Sequence, residues 1–211
     1  MIDATHQISA VRRSLGSRTL EAGEARVQTI SQVYPSDLDD VWDACTNPER
    51  LPRWFAPVTG ELRLGGRYQV EGNASGVVER CDPPKGFAAT WEFGGQVSWI
   101  EVALEPVADG TRLTLEHVAH VPDEFWTQFG PGATGVGWDL AFLGLATHLA
   151  TGESAAAEGQ EWAISPAGIA FATASSEAWE TVSVEAGTDP AAARAAGART
   201  TAFYTGAPEQ G

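Results

Sequence analysis

Basic residues are scarce in this sequence. Lys85 is the only lysine, and 13 lysine and arginine residues stand against 28 acidic residues, which gives a formal net charge of −15 at pH 7. A chain with no basic run lacks the positive surface that recognition of a phosphate backbone requires. We therefore expect no nucleic-acid partner.

Long apolar runs are also missing. The nearest candidate for a membrane span, residues 136–150, is shorter than the roughly 18 residues that a spanning helix needs, and it contains Asp139 and His148. The N-terminal residues show no basic region followed by an apolar one, so no signal peptide is predicted. We expect no association with a membrane.

Cysteine is nearly absent as well. Cys45 and Cys81 are the only two, and they do not form a C-x-x-C pair. This spacing predicts free thiols in a reducing compartment, and hence a cytoplasmic protein.

Alanine is abundant, and its distribution divides the chain. The sequence has 34 alanines, 19 of them from Ala150 onward, whereas six of its eight tryptophans come earlier. We interpret residues 1–24 as an N-terminal extension that forms part of a hairpin, residues 25–152 as the main domain, and residues 153–211 as an alanine-rich helical extension. Because such helices cannot build a core alone, the extension must pack on the main domain or on a second copy of the chain.

Local patterns predict a mixed α and β order. A hairpin turns at residues 22–24, and the spacing of Leu38, Val41, Trp42 and Cys45 predicts a helix, with a second short helix ending near Trp54. Runs separated by glycine and proline turns then predict five strands. They cover residues 67–71, 76–81, 87–93, 97–105 and 111–121. Their close spacing leaves no room for crossover helices, so the sheet should be an antiparallel meander.

The rest of the chain reads as helical. Residues 136–151 form a helix that is apolar on nearly every side, so it must be buried or lie over a cavity. Ser165-Pro166 and Asp189-Pro190 each combine a cap with a proline in the first turn, which predicts two further helices separated at Gly187.

Five segments carry a resemblance to a known superfamily. They are VWDACTNPERLPRWF, ELRLGGRY, GVVERCDPPKGFAATWEF, TRLTLEHV and GWDLAFLGL. In this order they resemble the START-like (SRPBCC) superfamily, and within it the branch named for the activator of heat shock protein 90 ATPase.

The resemblance implies an α+β helix-grip fold of the START-like or Bet v 1-like kind, in which a curved antiparallel sheet surrounds a long C-terminal helix. Members bind lipids, polyketides, plant hormones or other apolar molecules between sheet and helix, and some catalyse cyclisation or aromatisation there. We expect the same cavity here, with a small hydrophobic molecule as partner and without a cofactor.

Aromatic residues are the strongest candidates for the wall of such a cavity. Strand alternation places Phe87, Trp91 and Phe93 on one face, and it places Leu115 and His117 together on another strand. The full set of expected ligand-binding residues is Trp54, Phe87, Trp91, Phe93, Leu115, His117, Trp138, Phe142 and Leu145. The alternative is that these rings only fill the core.

His117 is the one candidate for catalysis, as a general acid or base, although a core histidine bonded to its neighbours is the preferred interpretation. His117 and His120 point to opposite faces of a strand, so we expect no metal site. Binding without chemistry is the preferred function. The alternatives are a cyclase or aromatase that uses the same cavity, and a co-chaperone-like or homo-oligomeric interaction protein whose extension forms a homodimer.

Overall fold

One antiparallel sheet organises the computed structural model, which describes residues 4–152, 154 and 159–206. The described residues form eight strands, which lie side by side in the sheet in the order β1-β2-β8-β7-β6-β5-β4-β3. They are β1 (Arg12–Leu20), β2 (Gly23–Tyr34), β3 (Val58–Gly60), β4 (Arg67–Val70), β5 (Ser75–Asp82), β6 (Gly86–Phe93), β7 (Gln96–Val107) and β8 (Gly110–Ala119). The sequence-based expectation of an antiparallel meander is confirmed.

The helices lie before, between and after the strands. They are α1 (Ala4–Ala10), α2 (Leu38–Thr46), a 3₁₀ turn (Leu51–Arg53), α3 (Asp123–Phe129), α4 (Gly132–Thr151), α5 (Gly159–Ala163), α6 (Pro166–Glu185) and α7 (Pro190–Thr205). The sequence patterns did not identify α1, a short helix without a clear apolar stripe. The expected start of the extension, residue 153, and its last residues, 207–211, lie outside the described part of the chain.

The inner face of the sheet packs against α4. Cross-strand pairing places Ile30 of β2 opposite Leu115 of β8, and Leu115 opposite Val102 of β7. This row belongs to one buried cluster with Phe142 and Leu145 of α4. The fold is therefore the expected α+β helix-grip arrangement, with a sheet curved around a long helix.

The helical extension covers the other side of α4. A Cβ at Gly135 would lie 2.3 Å from the ring of Trp179 in α6, so only glycine allows this approach. From α7, Thr200 Oγ1 donates to the carbonyl of Phe129, and Tyr204 Oη donates to that of Ala133, both at 2.8 Å. Helix α4 is apolar on nearly every side, apart from the buried Asp139 and His148, because it lies between the sheet and the extension, which packs on the main domain of its own chain.

Both predicted helix starts in the extension are confirmed. Ser165 Oγ accepts a hydrogen bond from the backbone N–H of Gly168 at 3.2 Å. Asp189 Oδ1 accepts from the N–H groups of Ala191 and Ala192, each at 3.0 Å. These caps satisfy N–H groups that the first helical turn leaves without a partner.

A buried ion pair joins the sheet, α4 and the extension. Arg13 of β1 meets Asp139 of α4 through two hydrogen bonds, Nε to Oδ2 at 3.0 Å and Nη2 to Oδ1 at 2.7 Å. The two side chains are 5% and 1% exposed. From α6, Ser175 Oγ and Trp179 Nε1 donate to the same Oδ2 at 2.6 Å and 3.0 Å. Arg13 Nη1 also donates to the carbonyl of Ile8 in α1, at 3.1 Å.

No helix in the described ranges combines the length and the apolar composition needed to cross a bilayer.

The buried ion pair leads to a stability prediction. Asp139→Asn leaves the Arg13 guanidinium buried without its counter-charge, and the loss of one partner of such a pair costs about 3–5 kcal/mol of unfolding free energy. Asp123→Asn is the matched control, because its carboxylate is 92% exposed and pairs with Arg26 at the surface, where a pair contributes at most about 1 kcal/mol. Urea unfolding followed by tryptophan fluorescence measures both changes. Equal losses in the two variants would contradict the prediction.

Candidate functional site

A cavity of about 350 Å³ lies between one half of the sheet and the segment formed by α2 and the 3₁₀ turn. We call it the outer chamber. Its wall consists of Trp42, Cys45, Thr46, Leu51, Phe55, Val58, Leu62, Tyr68, Val70, Val78, Cys81, Pro83, Phe87, Ala89, Trp91 and Ile100. Aromatic and aliphatic side chains dominate this wall, as in pockets that take small molecules.

A smaller space of about 80 Å³ continues from it toward α4. We call it the inner chamber. Cys45, Leu51, Phe55, Phe87, Trp91 and Ile100 belong to the walls of both chambers. The inner wall is completed by Trp54, Val102, Leu113, Leu115, Trp138, Ala141, Phe142 and Leu145.

An irregularity in β5 decides which side chains face the outer chamber. The pairing of β5 with β6 shifts register between Val78 and Arg80, and Val78 and Cys81 both line the cavity although they are three residues apart. Regular alternation from Val78 would turn Arg80 inward. The extra residue instead turns Arg80 toward Glu101 on the outer face, with Nη2 at 3.4 Å from Oε2. The bulge thereby places a thiol, and not a guanidinium, in the wall.

Neither chamber has a charged side chain in its wall among the residues that the structure describes. Burial raises the pKa of the Cys45 thiol to about 12, and Arg50 opposes this shift only in part. Cys45 is therefore a neutral thiol at physiological pH and a weak nucleophile. Burial likewise raises the pKa of Tyr68.

Several polar groups of the walls are already bonded within the protein. Thr46 Oγ1 donates to the carbonyl of Trp42 at 2.7 Å, and Tyr68 Oη donates to that of Thr90 at 2.5 Å. Trp54 Nε1 donates to the carbonyl of Ala44 at 2.9 Å. These bonds hold the side chains in place and use the hydrogen that each could offer to a ligand.

The structure brings together seven of the nine residues expected in the wall. Phe87 and Trp91 line both chambers, whereas the others line the inner one alone. Those others are Trp54, Leu115, Trp138, Phe142 and Leu145. The larger of the two chambers is not where the cavity was expected, however. The Trp91 and Trp138 rings pack with their centroids 5.3 Å apart, so they leave little room under α4, and the larger chamber opens under α2.

Phe93, which was expected in the wall, lines neither chamber. It is the last residue of β6, pairs with Gln96 across the turn, and is 59% exposed. Alternation correctly relates a side chain to one face of its strand, but it does not show whether another element covers that end of the strand.

His117 lies outside both walls as well, in the position of the core histidine that was the preferred interpretation. It is 7% exposed and lines neither chamber. Trp138 Nε1 donates to its Nδ1 at 3.1 Å, so the ring proton is on Nε2, which lies 2.8 Å from Ser98 Oγ. The Ser98 hydroxyl in turn donates to the carbonyl of Trp91 at 3.1 Å. With both nitrogens bonded to the protein, His117 positions Trp138 and has no path for a proton to a ligand in either chamber.

Sequence reasoning missed the contribution of α2 to the wall. Trp42 and Cys45 belong to the helical stripe that the spacing identified, but neither was among the residues expected in the wall. Tyr68 and Val70, which alternate with exposed neighbours on β4, carried a readable signal of an inward face. Among the described residues, no group of three His, Cys, Asp or Glu side chains could hold a metal ion.

The environment of His117 leads to a pH prediction. Burial lowers the pKa of His117 from 6.5 to about 4. Between these values the unfolded chain binds more protons than the folded one, so stability falls as the pH falls, by up to about 1.4 kcal/mol per pH unit. The difference in urea unfolding between the wild type and His117→Gln, measured at pH 7, 6 and 5, isolates this contribution. A difference that does not change with pH would contradict it.

Comparison with known proteins identifies the family. The sequence model of the activator of Hsp90 ATPase homolog 1-like proteins matches residues 36–150, just over half of the chain. CalU16 from Micromonospora echinospora is 36% identical. Its crystal structure aligns with a TM-score of 0.67 over 82% of this chain and 98% of its own, and its solution NMR structure with 0.70 over 85% and 97%. This likeness extends beyond the residues that the family model matches.

More distant structures share the fold alone. EF2215 from Enterococcus faecalis has a TM-score of 0.60 at 15% identity, over 86% of this chain and 95% of its own. DynU16, a protein of the dynemicin biosynthetic locus, has a TM-score of 0.51 at 22% identity, over 69% and 49%. The comparison with curated proteins gives no match. On the family model and the 36% identity to CalU16, the chain belongs to the activator of Hsp90 ATPase homolog 1-like family, with the helix-grip fold of the SRPBCC superfamily.

Proposed function

We propose that this protein binds a small hydrophobic molecule in the outer and inner chambers. The observation that carries the proposal is the outer chamber itself, a space of about 350 Å³ whose described wall has no charged side chain in a protein of net charge −15. Its volume falls within the range of roughly 300–1,000 Å³ that is typical of small-molecule sites. A folded protein leaves so large an apolar space empty only at a cost in packing.

The rim of the outer chamber supports the same function. Leu62, which lines the chamber, is 36% exposed, and the nearby Leu64 is 61% exposed. Both belong to the connection between β3 and β4. Exposed leucines beside an apolar cavity give a hydrophobic molecule a surface to contact on its way in.

The chambers support binding better than catalysis. Cys45 is held as a neutral thiol, and His117, the residue expected to act as acid or base, is bonded on both nitrogens and lies outside the walls. A homodimer through the extension stays a prediction, because α6 and α7 pack on the main domain of the same chain and no observation favours a second copy.

A cavity-filling substitution tests the proposal. Ala89 is 2% exposed in the wall of the outer chamber, and Ala89→Leu places three further carbon atoms there. We expect the fluorescence enhancement of the neutral apolar probe N-phenyl-1-naphthylamine to fall at least about fivefold, since the added side chain occupies ligand volume and overpacks the site. Ala88→Leu, on the other face of the same strand, is the matched control and should bind normally.

Two results would contradict the proposal. One is a wild-type protein that does not bind the probe, and the other is equal binding by folded Ala88→Leu and Ala89→Leu. Native mass spectrometry of the protein from its own cells, in search of a co-purifying small molecule, is the independent measurement.

A further inference from the structure

The side-chain N–H and O–H donors of the cavity wall, as distinct from the weaker S–H donors Cys45 and Cys81, fall into two groups. Thr46, Tyr68, Trp54 and Trp138 already donate to protein acceptors. The hydroxyl oxygens of Thr46 and Tyr68 can still accept, but none of the four side chains has a further N–H or O–H to offer. A ligand with an acceptor atom therefore has to find its donor elsewhere in the wall.

Trp42 and Trp91 form the second group. Among the described residues, neither indole N–H has a hydrogen-bond acceptor, and neither nitrogen belongs to the buried atoms without a partner, which are His120 Nε2 and Ser176 Oγ. Each indole nitrogen is therefore accessible and not sealed in the core. Both rings line the outer chamber, Trp42 from α2 and Trp91 from β6.

The two indole rings are held in defined orientations. Trp42 packs edge-on against Phe87, with centroids 6.4 Å apart and an angle of 70° between the planes. Trp91 packs against Trp138 at 5.3 Å. A donor whose ring is fixed by its neighbours loses little conformational freedom when it binds an acceptor.

The rest of the wall restricts the ligand further. Phe55, Tyr68 and Phe87 add aromatic surface to the same chamber, and aromatic surfaces pack well against flat rings. No charged side chain stands in the described wall to compensate an ionic group, so a carboxylate or an ammonium would lose its hydration without replacement.

From this arrangement, and resting on the proposed function, we infer that the ligand is an uncharged molecule with flat rings and a carbonyl oxygen, which accepts a hydrogen bond from the indole N–H of Trp42 or Trp91. The two tryptophans thereby select a ketone over a hydrocarbon of the same shape.

A matched pair of ligands tests this inference on the full chain. Fluorene and 9-fluorenone have the same tricyclic frame, but fluorene has a CH₂ group at the position where 9-fluorenone has a carbonyl. A purely apolar cavity would bind fluorene at least as tightly as 9-fluorenone, because the carbonyl of 9-fluorenone loses its hydration when it enters the cavity. One new hydrogen bond reverses that order, and we expect 9-fluorenone to bind about 5–10 times more tightly in equilibrium dialysis. We expect 9-fluorenone-2-carboxylate to bind at least about 100 times more weakly than 9-fluorenone.

Removal of the indole N–H groups identifies the donors. The double variant Trp42→Phe/Trp91→Phe keeps aromatic rings at both positions, and we expect its preference for the ketone to disappear. Trp99→Phe is the matched control, since Trp99 packs with Ala25, Val27 and Val118 on the other face of the sheet. It should keep the wild-type preference. Circular dichroism checks that the variants are folded, and the ligand comparison on the wild type does not depend on them.

The outcomes separate this inference from the proposed function. If neither fluorene nor 9-fluorenone binds, the proposed function fails. If fluorene binds as tightly as 9-fluorenone, or the carboxylate binds as tightly as the ketone, the function stands and the inference is overturned. A ketone preference that persists in the folded double variant would overturn the assignment of Trp42 and Trp91 as donors.

Discussion

The bidentate ion pair between Arg13 and Asp139 is the contact on which the rest of the structure depends. It connects the edge strand β1 to the middle of α4, and Ser175 and Trp179 of α6 donate to the same carboxylate. A buried pair of this kind contributes little net stability over an apolar pair, but it strongly disfavours arrangements in which either charge lacks its partner. It therefore defines where the extension sits: α6 must lie where its two donors reach Asp139, with the Trp179 ring against Gly135.

This attachment also explains where the cavity lies. Helix α4 is held against β1, β2 and β8 on one side and against the extension on the other, so that region is filled by side chains. At the other end of the sheet, β3 to β6 are covered by α2 and the short 3₁₀ turn, and the outer chamber remains between them. Gly144 of α4 lies so close to Trp54 that an added Cβ would be 2.3 Å from the Trp54 carbonyl oxygen. This contact joins α4 to the residue that follows the 3₁₀ turn. The half of the molecule that is filled by side chains thus supports a half that leaves space for a ligand.

Much of the fold could be predicted because its signals are local. Glycine and proline turns separate the strands, Ser165 and Asp189 cap the helices that follow them, and the apolar sides of α4 require cover on two faces. The candidate site was only partly predictable, because alternation relates Phe93 and His117 to a face but says nothing about what lies above that face. Phe93 extends beyond the covering helices, and His117 is enclosed by Trp138 and Ser98. The contribution of Trp42 and Cys45 needed the position of α2 over the sheet.

Four properties followed from the sequence by itself. They are the scarcity of basic residues, the order of strands and helices, the family, and the need of the alanine-rich segment for a packing partner. These properties depend on composition and on neighbours a few residues apart. The tertiary structure alone decided that the extension packs on its own chain, that a bulge turns Arg80 out and Cys81 in, and that the outer chamber lies under α2. Each of these depends on contacts between residues far apart in the chain, and such contacts leave no periodic trace in the sequence.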